Sequence, residues 1–372
     1  MIPRARHLAA AALSGALLML PAFAGVSAAS VATKIADTSA ASKVYKVMLT
    51  KTRADVQQVA NYWKPEQLKK ADSYSPATPS SKPAPAAKAA SGGAVNAPST
   101  AAASALRTSQ AAPPAAPNKG TARTMGKVFF RFGSKEYWCS ASSVAAKNHS
   151  VVATAAHCAY DARQGNAAAY WIFVPNPGAN GETPDGIYVG SSISMHEDWP
   201  GKNDYDYDYA FVTVHRGFTW QKQGAKYVAK DVGQLQDNVG GLGLELSRRS
   251  PLSKIYAFGY AAGPQPDGSQ PFNGVALQPC VGGTRKAVAP ALDLNFGVQL
   301  APCNFSKGAS GGPWVYNWQA DKRLGNLIGV NSLTWNTDAK GEFDAVSSPY
   351  FSVVTGEAYR HAAAQTTPTN VT

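Results

Sequence analysis

The stretch Lys307-Gly308-Ala309-Ser310-Gly311-Gly312-Pro313 sets a serine between glycines, ahead of the apolar run Trp314, Val315 and Tyr316. Glycines let the backbone turn tightly, with no Cβ to keep a carbonyl away from the N–H groups. A serine hydroxyl presented in this way is suited to nucleophilic attack, but it is weak at neutral pH and needs a base beside it. The string also reads as Gly-x-Ser-x-Gly, the elbow of another hydrolase class. That elbow follows a strand and opens a helix, whereas Pro313–Tyr316 reads as the start of a strand.

Six histidines could supply the base. His7 belongs to the leader and His361 to the C-terminal tail, while His149, His196 and His215 fall at turns or strand ends. His157 ends Ser150-Val151-Val152-Ala153-Thr154-Ala155-Ala156-His157-Cys158, an apolar strand that delivers an imidazole at its edge. An orienting acid is offered by Asp204-Tyr205-Asp206-Tyr207-Asp208, just before the apolar run Ala210–Val212. Alternate residues of a strand share a face, and three ionised carboxylates there repel one another. Asp204 and Asp206 therefore read as loop residues and Asp208 as the one that enters the core, with Asp206 as the alternative. The alternating aspartates lack the glycine and the later glutamate of a calcium loop. No Cys-x-x-Cys spacing points to zinc, so no metal or cofactor is expected.

Three strings resemble the signatures of the chymotrypsin (trypsin-like) serine proteases, in that family's order His, Asp, Ser. They are Thr154-Ala155-Ala156-His157-Cys158, Asp208-Tyr209-Ala210-Phe211-Val212 and Gly308-Ala309-Ser310-Gly311-Gly312-Pro313. The likeness spans 124–360 and includes Ala257-Phe258-Gly259-Tyr260, which is similar to a strand early in the family's second barrel. The resemblance implies an all-β fold of two six-stranded antiparallel β-barrels with the active site in the cleft between them. It implies His157, Asp208 and Ser310 as catalytic residues, and the N–H groups of Gly308 and Ser310 as the oxyanion hole. It places Asn304, Ser332, Leu333 and Thr334 on the substrate pocket. Two departures stand out. Ala309 replaces the aspartate that pairs with a newly cut N-terminus in trypsin-like zymogens, so processing is not expected to switch the oxyanion hole through a terminal ammonium. Asn304 replaces the aspartate that selects basic side chains, and Asn331 stands where glutamate-selective members often carry histidine.

These residues need strands to hold them, and the pattern from 124 onward supplies them. Short apolar or alternating runs bounded by Gly, Pro, Asn and Asp fall at 127–132, 137–145, 150–156, 169–174, 186–195 and 209–214. A second set falls at 254–261, 274–281, 296–301, 313–317 and 324–333. Strands of this length and spacing indicate barrels or sandwiches, with a first barrel over 124–235 and a second over 236–360. Only 352–364 reads as a helix in this part. The four cysteines allow three pairings. Sequential pairing, Cys139 with Cys158 and Cys280 with Cys303, is expected because each pair flanks a two-strand segment, and the family resemblance pairs Cys139 with Cys158 as well.

Before 124 the chain changes character. Residues 1–29 read as a signal peptide: Arg4 and Arg6, then the uncharged run Leu8–Val26, then small-residue cleavage sites. Residues 30–70 read as a pro-segment with helical spacing over Val56, Val59, Ala60 and Trp63; Tyr62-Trp63-Lys64-Pro65-Glu66 is similar to pro-segments of secreted actinobacterial proteases. Residues 71–122, rich in Ala, Pro, Ser and Lys, read as a disordered linker.

Of the net charge of +12, all but +1 lies in this region. Up to Arg123 there are 15 Lys and Arg against 4 Asp and Glu, and from Thr124 onward 20 against 19. That distribution argues against nucleic acid as a partner, since the body carries no basic-aromatic module of the kind that reads it. No stretch after the leader is long and apolar enough to span a membrane. The expected protein is a secreted monomeric serine endopeptidase acting on protein or peptide substrates. The competing readings are a non-catalytic protease-like binding protein and an esterase on the same fold.

Overall fold

The computed structural model of this 372-residue chain describes residues 43–76, 123–366 and 371. The expected signal peptide and linker residues 77–122 lie outside the described residues.

The first half contributes β1 (Val44–Met48), β2 (Asp72–Ser73), β3 (Met125–Phe132), β4 (Lys135–Val144), β5 (Val151–Thr154), β6 (Tyr160–Asp161), β7 (Asn166–Ala167), β8 (Ala169–Pro175), β9 (Tyr188–His196) and β10 (Ala210–Val214). Antiparallel pairing runs β9-β10-β5-β4-β3-β8, and β8 pairs back to β9, which closes a six-stranded barrel. Many of its strands are buried on both faces, which is why they read as nearly continuous apolar runs. On β5 and β10, Val152, Ala210 and Val212 point into the barrel with Val128, Phe130, Ile193 and Met195. The alternate residues Val151, Ala153 and Phe211 pack instead against Phe258, Val315, Leu327 and Val330 of the second half. The outer face of β3 and β8, with Phe129, Ile172 and Val174, is covered by Val56, Val59, Ala60 and Trp63. These belong to the helix Arg53–Tyr62 and its end, capped by Thr52, whose hydroxyl accepts from the Asp55 N–H. The segment before the linker is thus packed on the body, and β1 adds a strand along β9.

The second half contributes β11 (Gly217–Gln223), β12 (Lys226–Gly233), β13 (Gly243–Leu244), β14 (Ile255–Gly259), β15 (Gln278–Ala289), β16 (Leu294–Ala301), β17 (Pro313–Gln319), β18 (Leu324–Val330), β19 (Leu333–Trp335) and β20 (Ala345–Ser348). β11 and β12 form a separate two-stranded ribbon. The remaining strands form one curled sheet in the order β13-β18-β17-β14-β15-β16-β20-β19. Among the described residues no ladder joins β18 to β20, so strand pairing alone does not close this sheet into the expected second barrel. Val330 N–H instead donates to Ser348 Oγ (3.0 Å), and Ser332 N–H to Ser347 O (2.8 Å). The run expected as one strand over 324–333 breaks at Asn331 and Ser332, whose polar groups are drawn off toward the site. The C-terminal helix Val353–Ala363 is capped by Ser352 and buries Ala358, Tyr359 and Ala362 against the junction of the two halves.

Candidate active site

β5 and β10 are antiparallel neighbours, with Ala210 opposite Thr154. His157 lies three residues past Thr154 in a short 3-10 turn, and Asp208 two residues before Ala210 after another. That register brings the two to the same end of the barrel, 2 % and 0 % exposed. Asp208 Oδ1 accepts the His157 backbone N–H (2.9 Å), and Oδ2 lies 2.8 Å from His157 Nδ1. An ionised carboxylate only accepts, so the neutral imidazole carries its proton on Nδ1. Nε2 is buried without a hydrogen-bond partner among the described residues. Cys158, bonded to Cys139 of β4, fixes the far end of the turn; the second disulfide joins Cys280 to Cys303. Both pairings are the expected ones.

The other two carboxylates of the aspartate run face elsewhere. Asp206 accepts from the N–H groups of Asn295 (2.9 Å) and Phe296 (2.8 Å), tying the two halves together, and burial raises its pKa. Burial likewise pushes Asp204 up to about 6.

Ser310 sits in a turn held against the first barrel. Ser140 of β4 donates its backbone N–H to Ser310 O and its hydroxyl to Gly308 O, both at 2.8 Å. Gly308 has φ +92°, and a Cβ there would lie 2.4 Å from the Trp138 ring. Gly311 has φ +78°, and a Cβ would lie 2.1 Å from Thr154 Oγ1 at the end of β5. Only glycine fits either place. Ser140 and Thr154 thus moor the Ser310 turn beside the end of β5, three residues before His157.

The expected pocket residues are placed differently from one another. Ser332 donates its hydroxyl to Asp208 Oδ2 at 2.6 Å, so this side chain serves the acid. Asn304 is half-buried, and its carbonyl accepts from Gln265 Nε2 (2.8 Å). Gln265 is itself 3 % exposed. Leu333 is buried, and Thr334 is partly exposed on β19.

Two features beside the Ser310 turn carried no motif. Lys127 lies over the Trp138 ring, 3.8 Å from its centre, and burial lowers its pKa to about 7. The other is Tyr74. β2 pairs with β4 in parallel, Tyr74 N–H donates to Trp138 O (2.9 Å), and Gly308 N–H donates to Tyr74 O (3.2 Å). The Tyr74 ring packs on Phe130, Phe132 and Tyr137, and its centre is 6.1 Å from that of His157. Residues at the head of the expected linker therefore lie across the site.

No protein-family model matches the chain, and no curated protein matches it by sequence. Solved structures do. The chain is 26 % identical, with TM-score 0.53, to a thermostable serine protease AL20 from an extremophilic microorganism, over 65 % of this chain and 97 % of that one. It is 27 % identical, with TM-score 0.52, to the protease Anisep from Arthrobacter nicotinovorans, over 69 % and 99 %. The architecture and these neighbours agree: the chain has the trypsin-like serine protease fold.

Proposed function

We propose that this serine-type peptidase is a secreted endopeptidase that cuts peptide bonds through an acyl-enzyme, with Ser310 as nucleophile, His157 as general base and acid, and Asp208 as the orienting acid. The observation that carries the reading is the twofold grip of Asp208 on His157, which leaves Nε2, buried and without a hydrogen-bond partner among the described residues, as the ring nitrogen free to accept a proton. Ser310 Oγ attacks the substrate carbonyl carbon as Nε2 takes its proton. The C–N bond then breaks, and Nε2 returns that proton to the leaving amine. Water, activated by the same nitrogen, hydrolyses the ester. The N–H groups of Gly308 and Ser310 stabilise the oxyanion in both steps, each by about 3 kcal/mol of barrier. The leader and the two disulfides support export. A neutral Asn304 supports a preference other than for basic side chains.

The segment 43–76 acts in this reading as a built-in inhibitor. Tyr74 O occupies the Gly308 N–H that a substrate oxyanion requires, and the Tyr74 ring covers the approach to His157. Maturation is then removal of this segment by cutting within 77–122. The test is peptide hydrolysis by the matured chain beside its Ser310→Ala and His157→Ala variants. Loss of nearly all turnover in both, with folding retained, supports the assignment; turnover that survives in Ser310→Ala removes it.

A further inference from the structure

Resting on the protease reading, we infer that Asn331 is a positioning residue for the oxyanion hole, aiming the Ser310 N–H through the carbonyl of Ala309. A trans peptide unit points its C=O and its N–H in opposite directions. Holding the carbonyl therefore aims the N–H of the next residue. Both proposed oxyanion donors are held by such a grip. Lys307 O accepts from the N–H groups of Ala262 (2.9 Å) and Gly263 (3.2 Å), and the Gly308 N–H of that peptide points the other way, to Tyr74 O (3.2 Å). Ala309 O accepts from Gly312 N–H (3.0 Å) and from Asn331 Nδ2 (2.8 Å), and the N–H of that peptide belongs to Ser310.

The chemistry of Asn331 is specific to this task. Its side chain is buried and has every polar group engaged. Nδ2 donates to Phe258 O (2.9 Å) as well as to Ala309 O, and Oδ1 accepts from the Trp314 indole N–H (2.8 Å). Two carbonyls on one side and a pure donor on the other fix which end is the amide nitrogen. Its backbone closes the same turn: Asn331 N–H donates to Gly312 O (2.8 Å), and Asn331 O accepts from Gly311 N–H (2.7 Å). Ala309 has no side-chain group to anchor the turn; its methyl packs against Gly259. One asparagine thus supplies from the neighbouring strand end what residue 309 cannot. The turn is set with the segment 43–76 still in place, so the hole needs no charge from a new chain end.

Kinetics of the matured chain and of its variants, each made as the full chain and cut identically within 77–122, test this. Asn331→Ala and the nearly isosteric Asn331→Asp, which sets a carboxylate oxygen against two carbonyls, should each lower kcat by about 10²-fold, the size of losing one oxyanion donor, with KM changed less than threefold. Affinity for a peptide boronate, which mimics the tetrahedral species on Ser310, should fall by a similar factor. The pH profile of kcat should keep its shape, because His157 is untouched. Where these variants do not fold, Trp314→Phe, which removes the donor that holds Asn331 Oδ1, should show the same selective loss at smaller size. A folded Asn331→Ala or Trp314→Phe chain with unchanged kcat and boronate affinity overturns the role of Asn331 while leaving the protease intact. Loss of thermal stability with kcat retained overturns it equally. A matured parent chain that cuts no peptide removes the reading beneath it.

Discussion

Asp208 holds His157 at two points, Oδ1 on the backbone N–H at 2.9 Å and Oδ2 at 2.8 Å from the ring Nδ1. The first contact fixes the 3-10 turn and the second fixes the tautomer. In Asp208→Asn an amide N–H opposite Nδ1 would favour the tautomer with the proton on Nε2, where it cannot accept from Ser310. Turnover should then fall by up to ~10⁴, the size given for this change in the chymotrypsin triad. Asp206→Asn should leave turnover within about threefold, since its carboxylate meets the backbone of Asn295 and Phe296 and lies off the imidazole. Steady-state kinetics of the two variants decide the acid; a large loss in Asp206→Asn with none in Asp208→Asn would reverse the assignment.

The inhibitor role of 43–76 predicts that a peptide of these residues, added to the matured protease, inhibits competitively. Its docking is anchored by Trp63, which is fully buried against Phe129 and whose indole donates to Tyr170 O. Trp63→Ala in the peptide should weaken inhibition by about 3 kcal/mol, roughly a hundredfold. Tyr74→Gly should weaken it further by baring the His157 ring. Noncompetitive inhibition, or none, would mean that this segment only scaffolds the first barrel.

His215 makes the folded chain acid-sensitive. Its pKa is lowered to about 4 by burial. Thr50 Oγ1, which donates to Gly190 O, lies 2.9 Å from His215 Nε2, while Nδ1 has no partner among the described residues. Between the ordinary histidine value of about 6.5 and about 4, the unfolded chain binds a proton that the folded chain does not. Stability therefore rises with pH through that window and falls as pH drops from 6.5 to 4. Chemical unfolding at several pH values should show that slope in the parent chain and a shallower one in His215→Gln. Equal slopes would take His215 out of the acid response. Because Thr50 belongs to the docked segment, release of that segment should also be easier at the acid end.

Much of the site was legible because its residues stand in short strings whose spacing is dictated locally. His157 ends a buried strand, Asp208 borders another, and Ser310 needs glycines on both sides; each constraint acts within a few residues. The features missed depend on contacts distant in sequence. Tyr74 has no local sign of its place, which comes from pairing with β4 some sixty residues on and from Gly308 farther still. Asn331 stood out in sequence only as a possible pocket residue, whereas its side chain serves the backbone of Phe258 and Ala309. The ribbon β11–β12 lacked a periodic apolar face, since both its strands carry exposed polar residues around Gly224. The break of the strand pattern at Asn331 and Ser332 follows from the site, whose demand for their polar groups outweighs continuation of the ladder.

The most direct test of the central claim is covalent labelling by a fluorophosphonate, which reacts only with a serine activated by its neighbours. The account predicts rapid labelling of the matured chain, mapped by mass spectrometry to Ser310, with slow labelling of the uncut chain and none in His157→Ala. A folded, matured chain that takes no label at Ser310, or that is labelled equally well in His157→Ala, would contradict it.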